Sequence, residues 1–338
     1  MVEAFLCPVK GCDLMEPIKA GNLTIYPIVL DVDHKLKSFN SYLVEDGHTL
    51  SLIDAGINKD DYWDLFTNTL QMHGFEVRDI TGILLTHHHF DHIGLVNRIV
   101  EEVPIPVYAH EKAIPRLKRD PEFMQKRVDY YTELYREMGC GEAGSKQIDY
   151  LLNSIEKHKH TAINTEIMPL DKHINRFQVI EVPGHSPDQV AFYNEESKVL
   201  FGGDVLIDHI SSNAFIEPDE SGKRILALLQ QMSSLSKCAA LPLDYVFSGH
   251  GTIIDNHIDL IETRLKNVEI KATKLLTLIK DGASTANEIA KQYYKKIYES
   301  QFPLVMSEII GHLDYLEVNH KVKTEKVDGV WRYSLPPF

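Results

Sequence analysis

Cysteine is scarce in this 338-residue chain, which holds only Cys7, Cys12, Cys140 and Cys238. Cys7 and Cys12 stand at neither a CxxC nor a zinc-ribbon spacing, and no second Cys or His pair accompanies them. This leaves no basis for a disulfide framework or a structural zinc cluster, and all four residues are read as reduced thiols of a cytoplasmic protein. Long apolar runs are missing as well. None approaches the ~18 residues a membrane helix needs. The amino-terminal segment, interrupted by Pro8, Lys10 and Asp13, has neither the basic start nor the apolar stretch of an export signal. Positive charge is in deficit: the formal net charge is −14, which removes broad attraction to nucleic acid or an anionic membrane and leaves only a local basic groove open. What remains is an ordinary globular composition, 43% apolar and 25% charged, long enough for one large domain and one small one. Such a chain buries a core unaided, so metal ligands found in it are expected to serve catalysis.

The first hundred residues alternate β-like runs with turns. LTIYPIVL (23–30), SYLVE (41–45) and TLSLIDAG (49–56) are rich in β-branched and aromatic residues. A helix is expected near Asp60 to His73. ITGILLT (80–86) is a continuous apolar run of the kind a strand buried on both faces shows, and PIPVYAH (104–110) reads the same way. From Glu111 to about Lys159 the pattern turns helical and polar, a helical insertion taken as a lid spanning about 111–168. Strand character returns in FQVIEVPGHS (177–186), in a hairpin over 189–206 turning at Asn194–Ser197, and in DYVFSGHG (244–251), with a short helix near Arg224–Leu235 between them. After His257 come a long helix with a Gly stop, a helix opening at STANE, a third over PLVMSEIIGHLDYLEVNH, and a hairpin turning at Asp328–Gly329. That order outlines a winged helix over 258–338, following a catalytic domain over 1–257.

The segment His87-His88-His89-Phe90-Asp91-His92 decides the chemistry. At a strand exit, His87 and His89 share one face because side chains alternate. The turn into the next helix swings Asp91 and His92 to a neighbouring point, so two metals can sit side by side. Four-coordinate sites need further ligands, and three later loops supply them: Pro183-Gly184-His185-Ser186 to the first metal, Gly202-Gly203-Asp204 as a bridge, and Ser248-Gly249-His250-Gly251 to the second. Small residues beside each ligand let the backbone pass close to a crowded centre. Zinc is the default for a His-rich set, and iron or manganese also suits mixed His and carboxylate ligands.

HxHxDH followed by PGHS, GGD and SGHG, in that order, resembles the metallo-β-lactamase superfamily over about residues 20–255. The resemblance implies a four-layer αββα sandwich and the ligand set of its dinuclear hydrolase branch. It also casts Asp54, in LIDAG, as a support behind the ligands. No Cys stands at the bridging position, unlike the antibiotic-destroying members. Two dications about 3.5–4 Å apart lower the pKa of a bridging water from about 15.7 toward 7. The expected enzyme is therefore a hydrolase with a metal-bridging hydroxide as nucleophile, Asp91 and Asp204 as the catalytic carboxylates, and His209 as a candidate leaving-group acid. His88 points away from its neighbours and is read as structural.

The carboxy-terminal run resembles the winged-helix tail of a lactamase-like subfamily, one member type of which is a mitochondrial endoribonuclease. The helix that would read a groove carries Glu308, Asp314 and Glu317 and no cation before Lys321, so DNA is not an expected partner. Packing, against the catalytic domain or in a homodimer, is the expected role. The insertion's Arg116, Lys118, Arg119, Lys126, Arg127 and Arg136 are interleaved with acids and read as ion-paired helix faces. The substrate expected from the acidic chain is a small carboxylic ester, thioester or lactone. Phosphodiester cleavage of single-stranded RNA is the alternative, and a non-catalytic metal-binding scaffold is a third reading.

Overall fold

The computed structural model describes residues 15–337; Cys7, Cys12 and the amino-terminal segment read above lie outside the described residues. The first sheet comprises β1 (Ile18–Ala20), β2 (Leu23–Asp31), β3 (Ser38–Glu45), β4 (Leu50–Ile53), β5 (Gly82–Leu84), β6 (Val107–Ala109) and β7 (Ile167–Pro169), hydrogen-bonded in that order. It runs antiparallel as far as β4 and parallel from β4 to β7. The second sheet has the order β12-β11-β10-β9-β8, from β8 (His173–Ile174), β9 (Phe177–Glu181), β10 (Val190–Asn194), β11 (Val199–Gly203) and β12 (Tyr245–Ser248). Only β11 and β12 pair parallel.

Alternation along β3 shows how the layers form. Tyr42 and Val44 point into the core between the sheets, where Tyr42 meets Phe201 and Phe247 at 5.5 and 5.3 Å between centroids. Leu43 points the other way, into the core under the helices. Both faces of the sheet are covered, which is why its strands read as continuous apolar runs.

On the outer face of the first sheet lies α1 (Asp60–Met72), with α2 (Phe90–Ile93) and α3 (Val96–Glu102) after β5. Tyr62, Leu65, Phe66 and Leu70 of α1 recur at helical spacing and are buried in that core. On the outer face of the second sheet, α7 (Ala227–Ala239) and α8 (His257–Lys280) bring Leu235, Cys238 and Ile261 against Leu200 and Val246. The result is helix, sheet, sheet, helix. Cys140 and Cys238 are buried free thiols.

The insertion between β6 and β7 is helical, with α4 (Ile114–Leu117), α5 (Pro121–Glu137) and α6 (Gly141–Lys157). After α8 come α9 (Ala286–Tyr294), α10 (Ile297–Ser300), α11 (Phe302–Val318) and the hairpin of β13 (Lys323–Val327) and β14 (Val330–Ser334). A capping box opens α9: Thr285 Oγ1 accepts from the Glu288 amide at 3.2 Å, and Glu288 accepts from the Thr285 amide at 3.1 Å. The hairpin turns at Asp328 and Gly329, both at positive φ (50° and 79°), the turn an Asp-Gly pair favours.

One core joins the insertion to the tail. Tyr131, Leu134, Tyr135 and Met138 pack with Leu275, Ile289, Phe302, Ile309, Ile310 and Tyr333. Asn287 donates to the Gly139 carbonyl at 2.7 Å and Trp331 to Glu137 at 3.0 Å. The polar, helical pattern of the insertion is as the sequence implies; its apolar face turns out to be spent on the tail. No described helix is long and apolar enough to cross a membrane.

Candidate metal centre

The seven side chains singled out in the sequence come together at the strand exits on one edge of the sandwich. His87 and His89 follow β5, and His89 sits at the start of α2, whose first turn carries Asp91 and His92. His185 follows β9, Asp204 follows β11, and His250 follows β12. Three groups of ligand atoms lie within 4.8 Å of one another: His87, His89 and His185; His87, His92 and Asp204; Asp91, His92 and His250. Asp204 stands between the outer two. Its Oδ2 is 3.4 Å from His185 Nε2 and 3.3 Å from His250 Nε2, and its Oδ1 is 3.4 Å from His92 Nε2.

Hydrogen bonds behind the ring fix which nitrogen each histidine presents, and so its tautomer. His92 Nδ1 donates to Asp54 Oδ2 at 2.7 Å, and His250 Nδ1 donates to the Ser38 carbonyl at 2.7 Å. His185 Nδ1 donates to the Asn213 carbonyl at 2.9 Å, with Ser212 Oγ at 2.8 Å. Thr86 Oγ1 gives its proton to Asp54 and so accepts from His87 Nδ1 at 3.0 Å. Each of these four rings therefore turns its Nε2 inward, and in the neutral form that nitrogen carries a free lone pair. His87 Nε2 and His185 Nε2 both face His89 Nδ1, at 3.0 and 2.9 Å.

Asp54 is the hub of this support. It sits at φ 55° just past β4 and accepts from the Thr86 amide, the Thr86 hydroxyl and His92. Glycine is required where the backbone crosses the centre. A Cβ on Gly249 would lie 2.4 Å from His92 Cε1 and 2.6 Å from Asp204 Oδ1, and one on Gly203 (φ 51°) would lie 2.5 Å from Thr86 Oγ1.

These residues fit divalent cations. His92 Nε2, His250 Nε2 and Asp204 Oδ1 are buried without a hydrogen-bond partner, a condition that costs about 1–3 kcal/mol for each group left unanswered. Burial, reinforced by the neighbouring imidazoles, holds His87 and His89 well below the ordinary histidine value, and burial lowers His185. They are therefore neutral, the form that binds metal. Burial also acts downward on His92 and His250, but the Asp204 carboxylate, joined at His92 by Asp54, outweighs it and raises both. The same pairings hold Asp204 well below the carboxylate range despite its burial.

His209 stands apart from the centre. Its Nδ1 faces Asp208 at 2.6 Å and its Nε2 faces the Lys35 carbonyl at 2.9 Å, so both ring nitrogens are engaged behind the Gly251 turn. His88 is in none of the three ligand groups; its ring packs edge-on against His89 at 4.7 Å, and its amide and Nδ1 are held by Asp188 at 2.9 and 2.7 Å. Asp188 is fully buried and its carboxyl is held far below its usual range, because His88 and Arg116 outweigh the cost of burial. Sequence reasoning did not single it out, although it stands three residues after His185.

Glu217 was missed too. It is buried and binds Arg116 at 3.0 Å, Arg127 and the Tyr131 hydroxyl, tying the insertion to the loop after β11. No local pattern signals it, since its partners are 86 to 101 residues away. At the mouth, Phe90 is 69% exposed, and Phe215 packs its ring against His89 and His185 at 5.6 and 5.5 Å.

A sequence model described as the metallo-beta-lactamase superfamily matches residues 38–250. A "probable metallo-hydrolase" of Bacillus subtilis is 30% identical over 286 residues, covering 83% of this chain and 88% of that protein. The crystal structure of a metallo-beta-lactamase family protein from Thermus thermophilus shares the fold, with a TM-score of 0.74 at 24% identity over 92% of this chain and 98% of that one. A hydroxyacylglutathione hydrolase of Bdellovibrio bacteriovorus is 27% identical over 154 residues, 46% of this chain and 45% of that protein.

Proposed function

Since the chain belongs to the metallo-beta-lactamase superfamily and is a metal-dependent hydrolase, we propose that it cleaves a small carboxylic ester, thioester or lactone at a two-metal centre. His87, His89 and His185 would hold one ion and Asp91, His92 and His250 the other, with Asp204 shared between them. The observation that carries this reading is the position of Asp204, within 3.4 Å of a histidine from each group. Zinc is the proposed metal, with iron or manganese as alternatives that suit the same donors. Bound there, the ions supply a deprotonated water at neutral pH and polarise the oxygen of the scissile group.

The protein's own contribution is orientation and proton handling. Asp54, Ser38, Asn213 and Thr86 fix four rings so that only Nε2 faces the centre. We assign to Asp91, whose Oδ2 is 3.6 Å from His250 Nε2, the role of orienting the attacking hydroxide and shuttling its proton toward the leaving group. Phe90 and Phe215 give the mouth an apolar wall against which the substrate's carbon chain can lie.

Carbonyl substrates are favoured over RNA by the insertion's cations. Arg116 and Arg127 are taken by Glu217, Lys126 by Glu122 and Arg136 by Glu133, while Lys118 and Arg119 donate to backbone carbonyls. Four of these six are thus paired with a carboxylate, which weakens the case for a groove that tracks a phosphate backbone. We read residues 258–338 as a winged-helix-like unit whose role is packing, because eleven of the seventeen residues of α11, the helix that would enter a groove, are buried. The similarity to a hydroxyacylglutathione hydrolase agrees with thioester chemistry.

The test is a panel of a thioester, a lactone, an aryl ester and a labelled single-stranded RNA, given to the metal-loaded protein and to Asp204→Ala. Hydrolysis of a carbonyl substrate that falls to background in the variant is expected, with the RNA intact. RNA cut in an Asp204-dependent way, with all three carbonyl substrates untouched, would replace this reading with the phosphodiester one.

A further inference from the structure

A second cavity, of about 150 Å³, lies between the loop after Asp204 and helices α7, α8 and α11. None of the seven residues of the metal centre lines it. It is far larger than the ~10–15 Å³ one water needs, and its polar walls are incompletely satisfied. His312, 4% exposed, turns Nδ1 to the Glu308 carbonyl at 2.7 Å, so that nitrogen carries the proton and Nε2 is a bare acceptor without a partner. Asn213 spends its amide NH2 on the Leu304 carbonyl, and its Oδ1 is buried with nothing to accept from.

Positive charge enters through Arg264. Its Nη2 donates to the carbonyls of Ile207 and Asp208 at 3.0 and 2.7 Å, and its Nε is buried without a partner. Among the described residues no carboxylate forms an ion pair with it; the Asp208 carboxylate is engaged by His209 and Thr252. The other cation on this wall, Lys271, is already held by Glu308, which also accepts from Tyr294. The lining of the cavity thus includes one guanidinium with no carboxylate partner among the described residues and two orphaned acceptors.

We propose that this cavity binds a small hydroxy- or amino-carboxylic acid, with its carboxylate at Arg264 and its hydroxyl or ammonium donor shared by His312 Nε2 and Asn213 Oδ1. An anion alone would leave the two acceptors unanswered, and a neutral polyol would leave the guanidinium unpaired; a molecule carrying both groups satisfies all three. The cavity wall at Ser212 and Asn213 is also what His185 Nδ1 rests on, so occupancy is felt one bond away from the metal centre.

Titration calorimetry of the full-length protein with D-glycerate and L-serine tests this, against propionate, which lacks the donor, and glycerol, which lacks the carboxylate. Glycerate or serine is expected to bind both the wild type and Asp204→Ala. Arg264→Met and His312→Leu, each verified as folded by thermal melting, are expected to weaken that binding at least about tenfold. Should His312→Leu not fold, Arg264→Met, on a half-exposed helix position, carries the test alone. Binding that disappears in Asp204→Ala but survives in the cavity variants would place the acid at the metals and overturn the proposal. No heat from any probe, or equal binding of propionate or glycerol, would overturn it as well and leave the cavity to water.

Discussion

At the strand exits of the sandwich, buried polar atoms converge and are left without partners: His92 Nε2, His250 Nε2 and Asp204 Oδ1 all face one point. In the helical half, Glu217 is answered in place by Arg116, Arg127 and Tyr131, whereas Asp314 is met by Arg224 at one oxygen only, at 2.7 Å, and its other oxygen is buried without a partner. Both arrangements are costly to bury, and the difference lies in what completes them. Both oxygens of Glu217 are met by the chain itself, and this network ties the insertion to the loop after β11. The sandwich cluster is not closed by the chain, which is why we propose it as the working site. Around the His312 cavity the pattern is again that of the sandwich, with His312 Nε2 and Asn213 Oδ1 left unanswered.

The contrast breaks most directly at Asp204. Asp204→Ala is expected to take hydrolysis to background and to release metal from both groups, read by activity and metal content together; a variant that keeps either would place the bridge elsewhere. In the helical half the corresponding change is Glu217→Gln. Removing this carboxylate leaves the buried Arg116 and the partly buried Arg127 without their ion-pair partner, a loss of up to about 3–5 kcal/mol, read as a lower denaturation midpoint with the metal content of the folded protein unchanged.

The same residue sharpens the comparison through pH. Although burial acts to raise it, Arg127 and Arg116 bring the Glu217 carboxyl down to about 2. A carboxyl lowered in the folded state adds stability that is fully present above its unfolded value, about 4.3. That stability is lost as pH falls through about 2. Wild-type stability should therefore drop over that window by more than that of Glu217→Gln; parallel curves would mean the network does not hold Glu217 ionised.

Smaller effects separate support from ligation. Asp54→Asn keeps the shape but weakens the grip on His92 and the Thr86 turn, and is expected to lower metal affinity by about 10–100-fold with little change in melting temperature. At the end of the scale is the Lys126–Glu122 pair on the exposed face of α5. Lys126→Ala should leave both melting temperature and activity unmoved, since exposed pairs contribute little. A clear loss of activity there would reopen the insertion as a charged substrate path.

How much of this was legible in the sequence differs between the halves for the same physical reason. Each metal-centre residue sits in a short motif at a strand exit, and His185, Asp204 and His250 each follow a glycine, so HHHFDH, PGHS, GGD and SGHG could be read locally. The hairpin over 190–203, α1, the α9 capping box and the Asp328–Gly329 turn were equally local. The three-residue β7 and two-residue β8 were not, because they are too short to show a period and are defined by their neighbours in the sheets. Glu217, Asp188 and the core that α5 shares with α11 depend on residues far apart in the chain. An amphipathic helix announces that it has a buried face, but not which partner covers it.

The central claim is that two metal sites share Asp204, and native mass spectrometry of the zinc-loaded, full-length protein tests it most directly. Two zinc ions per chain are expected in the wild type. His250→Ala is expected to keep one, because His87, His89, His185 and the shared Asp204 all remain. One ion in the wild type, or two still bound after His250→Ala, would contradict the account.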